Sequence, residues 1–181
     1  MEGGPNNQDS SAPADSVAQH RASGTAAVGC AVLTISDTRT AETDESGALI
    51  RSLLTGAGHR IVDHAIVPDE PDSIRAALVR WGGRTEIQAM LTNGGTGIAA
   101  RDTTYNAIAG LLETRIDGFG ELFRMLSWAE IGSAAMLSRA VAGVYRGRIV
   151  VAMPGSRNAV RLAMERLIVP ELGHLVFEAG K

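Results

Sequence analysis

The residues best placed to do chemistry stand in one run, "NGGTGIAARD", residues 93–102. Gly94, Gly95 and Gly97 follow an apolar segment and precede a helical pattern whose expected N-cap is Thr104. Glycines at such a place let backbone N–H groups approach an anion with no Cβ in the way. The helix start adds partial positive charge. Arg101 offers a planar fork for phosphate oxygens. Asp102 would repel the same phosphate unless a divalent cation lay between them, so an Asp–Mg²⁺–phosphate bridge is one reading of the pair. The competing readings are a tight strand-to-helix connection with no ligand, and an Asp102 that caps the helix or pairs with Arg101. Gly95, Gly97 and Ala100, with Asp117 further on, also trace Gly-x-Gly-x-x-Ala, the outline of a dinucleotide site. Asp117 does not end an apolar run, however, and the loop is not in the first strand–helix unit.

Three other polar clusters adjoin apolar runs. "VPDEPDS" holds Asp69, Glu70 and Asp72, which serve either a ligand or the next helix N-terminus. "ISDTRTAETDESG" holds Ser36, Asp37, Thr38, Arg39 and Asp44, either a ligand loop or a solvated one. "MPGSRNA" places Ser156 as an N-cap, with Arg157 and Asn158 in the first turn, where a second anion could bind. Glu121 and Arg124 stand three apart in a helical pattern, the spacing of a surface ion pair.

Composition narrows the chemistry. Sixteen of the seventeen basic residues are arginine, and the one lysine is Lys181. A P-loop lysine and a Schiff-base lysine are excluded. Any anion is therefore held by arginine or by backbone N–H groups. Cys30 is the sole cysteine, so no internal disulfide or thiolate metal cluster forms, and its apolar neighbours place it in a buried strand. His20, His59, His64 and His174 lack metal-ligand spacing and read as surface or partly buried residues. Net charge is −3 with no basic stripe, which argues against a nucleic-acid partner.

These residues need elements to hold them. Residues 1–26 are rich in Gly, Ser, Pro, Asn and Asp, with no apolar run, and read as a disordered tail rather than a secretory signal. No stretch is apolar enough to span a membrane, and the cytoplasm is the expected location. Residues 27–181 form one expected domain. "VGCAVLTI" is a nearly continuous apolar run, as a doubly covered strand requires. "GALIRSLLTGAG" reads as a helix ended by glycine, "HRIVDHAIV" as a strand, and "PDSIRAALVRWGG" as a helix opened by Pro71. "EIQAMLT" is a third strand, followed by the helix "TTYNAIAGLL". "GFGELFRMLSWAEIGSAAMLSRA" is helical in two pieces; its apolar residues exceed one buried stripe and point to subunit contact as well as core. "VAGVYRGRIVVAM" reads as two strands joined at Arg146-Gly147, and "PGSRNAVRLAMERLIVPEL" as a closing helix. This alternation predicts a three-layer α/β/α sandwich, mostly parallel, with one antiparallel strand. Ligands of such sheets bind at strand carboxyl ends, and loops rich in Ser, Thr, Asp, Gly or Pro fall there after Ile35, Thr92 and Met153.

Together, "LTISDTRTAETDESG", "VPDE", "NGGTGIAARD", "GFGELFRMLSWAEIGSAAMLSRAVAG" and "MPGSRNAVRLAMERLIVPELGH" resemble the MoaB/MogA family of molybdenum cofactor biosynthesis proteins, over about residues 27–178. The long segment from Gly118 is most similar to the MoaB branch. The resemblance implies binding of molybdopterin and, in active members, Mg²⁺-dependent transfer of AMP from ATP to its terminal phosphate with release of pyrophosphate. The product then passes to a molybdenum-insertion step. By the same resemblance, Asp102 and Asp69 correspond to functional acids, here expected to share Mg²⁺. Gly94, Gly95, Thr96 and Gly97 correspond to the phosphate loop. Ser36, Asp37, Pro154, Gly155 and Ser156 correspond to loops bordering one pocket, with Glu121, Ser138 and Arg139 near it. Asn93 and Tyr105 depart from common family residues, and Asn93 could donate to a phosphate as Thr does. Trimers, or hexamers built from trimers, are implied as well. A non-catalytic molybdopterin carrier is the alternative from a different class, and a nicotinamide enzyme a third.

Overall fold

The computed structural model describes residues 27–181. The expected tail, with His20, lies outside the described residues. Every residue of β1 (Gly29–Ile35) is buried, as its unbroken apolar run requires. Burial pushes the Cys30 thiol up to about 12, so it remains a neutral, packed thiol. Helix α1 (Glu45–Gly56) starts at Asp44, whose side chain accepts the Gly47 N–H. β2 (Arg60–Val67) leads into α2 (Pro71–Gly82), with proline in its first turn.

β3 (Ala89–Asn93) starts later than the apolar pattern suggests and ends on Asn93. α3 (Thr104–Ala109) is short. Its N-cap is Thr103 rather than Thr104, because Thr104 already lies inside the helix with its hydroxyl turned to Asp69. A two-residue strand that the sequence did not signal, β4 (Thr114–Arg115), precedes α4 (Asp117–Ile131). Gly132, at φ 58°, breaks α4 from a 3₁₀ segment, Gly132–Leu137. β5 (Val141–Tyr145) and β6 (Arg148–Met153) form the expected hairpin around Arg146-Gly147. The closing helix is two, α5 (Arg157–Ala163) and α6 (Val169–Ala179), joined by a π-helical turn, Met164–Ile168. The widened turn comes just before Pro170, whose ring has no N–H for the carbonyl four residues back.

The six strands lie in the order β2-β1-β3-β6-β5-β4. β2, β1, β3 and β6 are parallel, and β5 runs against both of its neighbours. Alternate residues of β1 feed two cores. Cys30 and Val32 pack with Ile50, Leu54, Phe123, Val160 and Met164 of α1, α4, α5 and the π turn. Ala31 and Leu33 pack with Ile74, Leu78, Trp81 and Ile108 of α2 and α3. Helices on both faces make the three-layer α/β/α sandwich. Because β1, β3 and β6 are adjacent, their carboxyl-end loops meet: Thr34 stands beside Asn93, and Asn93 beside Met153.

Candidate functional site

A cleft of about 490 Å³ opens where those three loops meet. Its floor is a chain of buried polar groups. The Asn93 side-chain amide donates to the Thr34 hydroxyl at 3.0 Å, and that hydroxyl donates to Asp44 at 2.8 Å. Asn93 is 1% exposed, so its amide holds β3 to β1 rather than standing ready for a phosphate, contrary to the sequence expectation. Asp44, read from sequence only as part of a loop, is both the α1 cap and a cleft residue.

The glycine loop forms one wall. Gly94 has φ 102°, and a Cβ there would run into the Ile35 carbonyl oxygen. Its N–H donates to the Met153 carbonyl at 3.1 Å, tying the β3 and β6 ends together. Gly95, Thr96 and Gly97 continue the wall, and the Asp102 carboxylate lies over Gly97. One Asp102 oxygen accepts the Ala99 N–H at 2.9 Å, folding the loop back on itself. Asp102 therefore turns a loop and faces the cleft; it caps no helix.

Asp69 approaches the same loop from behind. It is 8% exposed, and its Oδ1 accepts from the Thr103 hydroxyl at 3.0 Å and from the Thr103 N–H and Thr104 hydroxyl, both at 3.4 Å. Its Oδ2 lies where a Gly95 Cβ would be. Asp69 and Asp102 thus meet at one loop, but Asp69 does not line the cleft and its carboxylate is engaged by the loop.

Arg101 turns outward. Its Nε donates to Asp37 at 2.7 Å and its guanidinium reaches Glu70 at 3.3 Å. The Arg101 hydrogen bond, aided by the Asp69 N–H, holds the Asp37 carboxyl below its ordinary value. Arg139 acts from the opposite side, donating to the Thr96 carbonyl at 3.0 Å and the Asp102 carbonyl at 3.2 Å. Its guanidinium stacks 4.7 Å from the centre of the Tyr105 ring. Neither arginine lines the cleft; both hold the loop that does.

The remaining walls are simpler. The Ser36 hydroxyl accepts the Thr38 and Arg39 N–H groups, each at 3.2 Å, and turns the loop after β1. Pro154, Gly155 and Ser138 line the cleft, while Ser156 caps α5 by accepting the Ala159 N–H at 3.3 Å. Ser46 donates to the Gly155 carbonyl at 2.8 Å, a contact across 109 sequence positions that no local pattern could reveal. Leu137, from the 3₁₀ segment, closes one edge and was likewise unsignalled. Glu121 lies apart, in a second hollow of about 240 Å³ with Tyr105, Arg115, Asp117 and Arg124. The Glu121 carboxylate and the Arg124 guanidinium stand more than 4.0 Å apart, so the expected surface ion pair does not form. The dinucleotide outline fails structurally: its loop follows the third strand, and Asp117 opens α4 instead of ending a strand.

Residues 31–174 match the family described as "probable molybdopterin binding domain". The chain belongs to this molybdenum cofactor biosynthesis family. It is 55% identical over 167 residues to molybdenum cofactor biosynthesis protein B of Halalkalibacterium halodurans, covering 92% of this chain and 98% of that protein. A crystal structure of a molybdenum cofactor biosynthesis protein B superposes with TM-score 0.84 at 52% identity, over 86% of this chain and 97% of the other. The tungsten cofactor synthesizing protein MoaB from Pyrococcus furiosus superposes with TM-score 0.78 at 34% identity, over 86% and 98% of the two chains. The cleft of this family member is thus built on a shared scaffold. No helix among the described residues is long and apolar enough to cross a membrane.

Proposed function

We propose that this protein acts in molybdenum cofactor biosynthesis as a molybdopterin adenylyltransferase. The terminal phosphate oxygen of molybdopterin attacks the α-phosphorus of ATP; a new P–O–P bond forms, the α–β bond breaks, and pyrophosphate leaves. Such a transfer needs positioning and charge neutralisation, with no covalent nucleophile from the protein. The observation that carries the reading is the Asp102 carboxylate facing a cleft walled by Gly94, Gly95 and Gly97.

The donor set suits Mg²⁺ held mainly by its ligand. The Asp102 Oδ1 accepts no hydrogen bond among the described residues, and no group of three or more His, Cys, Asp or Glu there could hold a metal. An ion beside Asp102 would take its other positions from phosphate and water, as Mg²⁺ commonly does, and would neutralise charge on the transferring group. Asp69 serves by fixing the loop, not as a second ligand.

Asp102→Asn should lower pyrophosphate release by orders of magnitude while molybdopterin binding stays near wild type. Wild-type protein that binds molybdopterin yet releases no pyrophosphate with ATP and Mg²⁺ is instead a carrier. Product would pass to a molybdenum-insertion enzyme, in keeping with a cytoplasmic setting.

Self-association is part of the proposal. Leu122, Met125, Trp128 and Ile131 form an exposed apolar strip that winds along α4, and Met136 and Leu137 of the 3₁₀ segment are exposed just beyond it; Trp128 is 63% and Met136 79% exposed. Other copies of the chain would cover this face in a trimer or hexamer. A monomer by sedimentation at micromolar concentration would refute that.

A further inference from the structure

Three arginines lie near the loops that wall the cleft, and only one of them, Arg39, lines it. Arg101 is engaged by Asp37 and Glu70. Arg139 donates to two carbonyls behind the loop. Arg39 lines the cleft, together with the carboxylates of Asp44 and Asp102. Among the described residues lining it, Arg39 is the sole cation.

Arg39 is also held for that position. Its backbone N–H is tied to the Ser36 hydroxyl at 3.2 Å, and its Nη1 donates to the Thr43 carbonyl at 2.8 Å. Among the described residues, no carboxylate oxygen stands within 4.0 Å of its guanidinium nitrogens. A guanidinium carries five N–H donors, so most remain available. A phosphate entering the cleft meets the Asp102 carboxylate and needs a cation to offset it, whereas buried Asp44 is held by Gly47 and Thr34 and has Arg51 at 4.0 Å. Arginine does this with a planar, permanently charged fork.

We propose that Arg39 is the phosphate-binding residue of the cleft, the cation that draws the phosphates of the ligand against the glycine loop. The proposal rests on the adenylyl-transfer reading for its ligand class, a phosphate ester or polyphosphate. It displaces Arg101, the arginine the sequence favoured, from that role.

Titration calorimetry tests it with Mg·ATP, inorganic pyrophosphate and adenosine as probes. Arg39→Gln should weaken pyrophosphate and Mg·ATP binding roughly 10- to 100-fold, the usual range for losing hydrogen bonds to a charged group. Adenosine, which has no phosphate, should bind as it does to wild type. Arg39→Lys should recover part of the loss, since it restores charge without the fork. Arg80→Gln on α2 removes the same charge outside the cleft and should change nothing. Arg39 lies on an exposed loop, so an unchanged thermal melt should accompany the binding loss. Pyrophosphate affinity of Arg39→Gln within about twofold of wild type would overturn the proposal. A wild-type protein that binds neither pyrophosphate nor Mg·ATP would overturn both this proposal and the reaction it rests on.

Discussion

The loops after β3 and after β6 line the same cleft but are held in different ways. The loop after β6 is short and largely self-supporting: Ser156 caps its own helix, and one distant group, Ser46, binds Gly155. The loop after β3 runs ten residues between Asn93 and Thr104 and has no regular structure of its own. Asp69 from the end of β2, Arg139 from beyond the 3₁₀ segment, and Asp37 with Glu70 through Arg101 all hold it in place. A loop rich in glycine can approach a ligand closely, but its backbone costs more to order. The more freedom the loop has, the more side chains from elsewhere it takes to fix it.

That contrast can be broken, starting with its strongest restraint. Gly94→Ala should destabilise the fold by about 3 kcal/mol or more in urea unfolding, because a left-handed backbone and a collision with the Ile35 carbonyl act together. Next, Asp69→Ala should cost about 2 kcal/mol by leaving the Thr103 and Thr104 donors unmatched, and hydrogen exchange should quicken across residues 96–104. If exchange there stayed slow, Asp69 would not be the restraint described. Ser156→Ala should cost only about 1 kcal/mol, the value of an N-cap, with residues 96–104 exchanging as in wild type.

The smallest effect is a matter of pH. The folded Asp37 carboxyl titrates below its ordinary 3.8, so its link to Arg101 contributes above that value and is lost as pH falls through the lower, folded one. The Arg101 Nε–H resonance should therefore shift with a midpoint below 3.8. A midpoint at or above 3.8 would mean that the pair does not form in solution.

Much of the architecture was legible because it follows from periodicity and local chemistry. The unbroken apolar run around Cys30 required cover on both sides, and the hairpin at Arg146-Gly147 followed from two apolar runs around a turn. The Ser156 cap was legible for the same reason. Less of the site was. Asn93 and Arg101 have the chemistry to bind phosphate, yet neighbours brought by β1 and β2 engage both. Glu121, grouped with the pocket by family resemblance, lies in a different hollow. β4 is two residues long, too short for any alternating pattern.

By itself the sequence determined which backbone could bend at Gly94 and Gly95, which runs had to be buried, and that arginine must carry any anion-binding charge. It could not determine which arginine does so. Arg39, Arg101 and Arg139 carry the same group, and only the adjacency of β1, β2 and β3 sets a carboxylate beside one, carbonyls beside another, and an open cleft before the third. A side chain's chemistry is local, but whether that chemistry is already satisfied depends on partners tens of residues away, and folding alone brings those together.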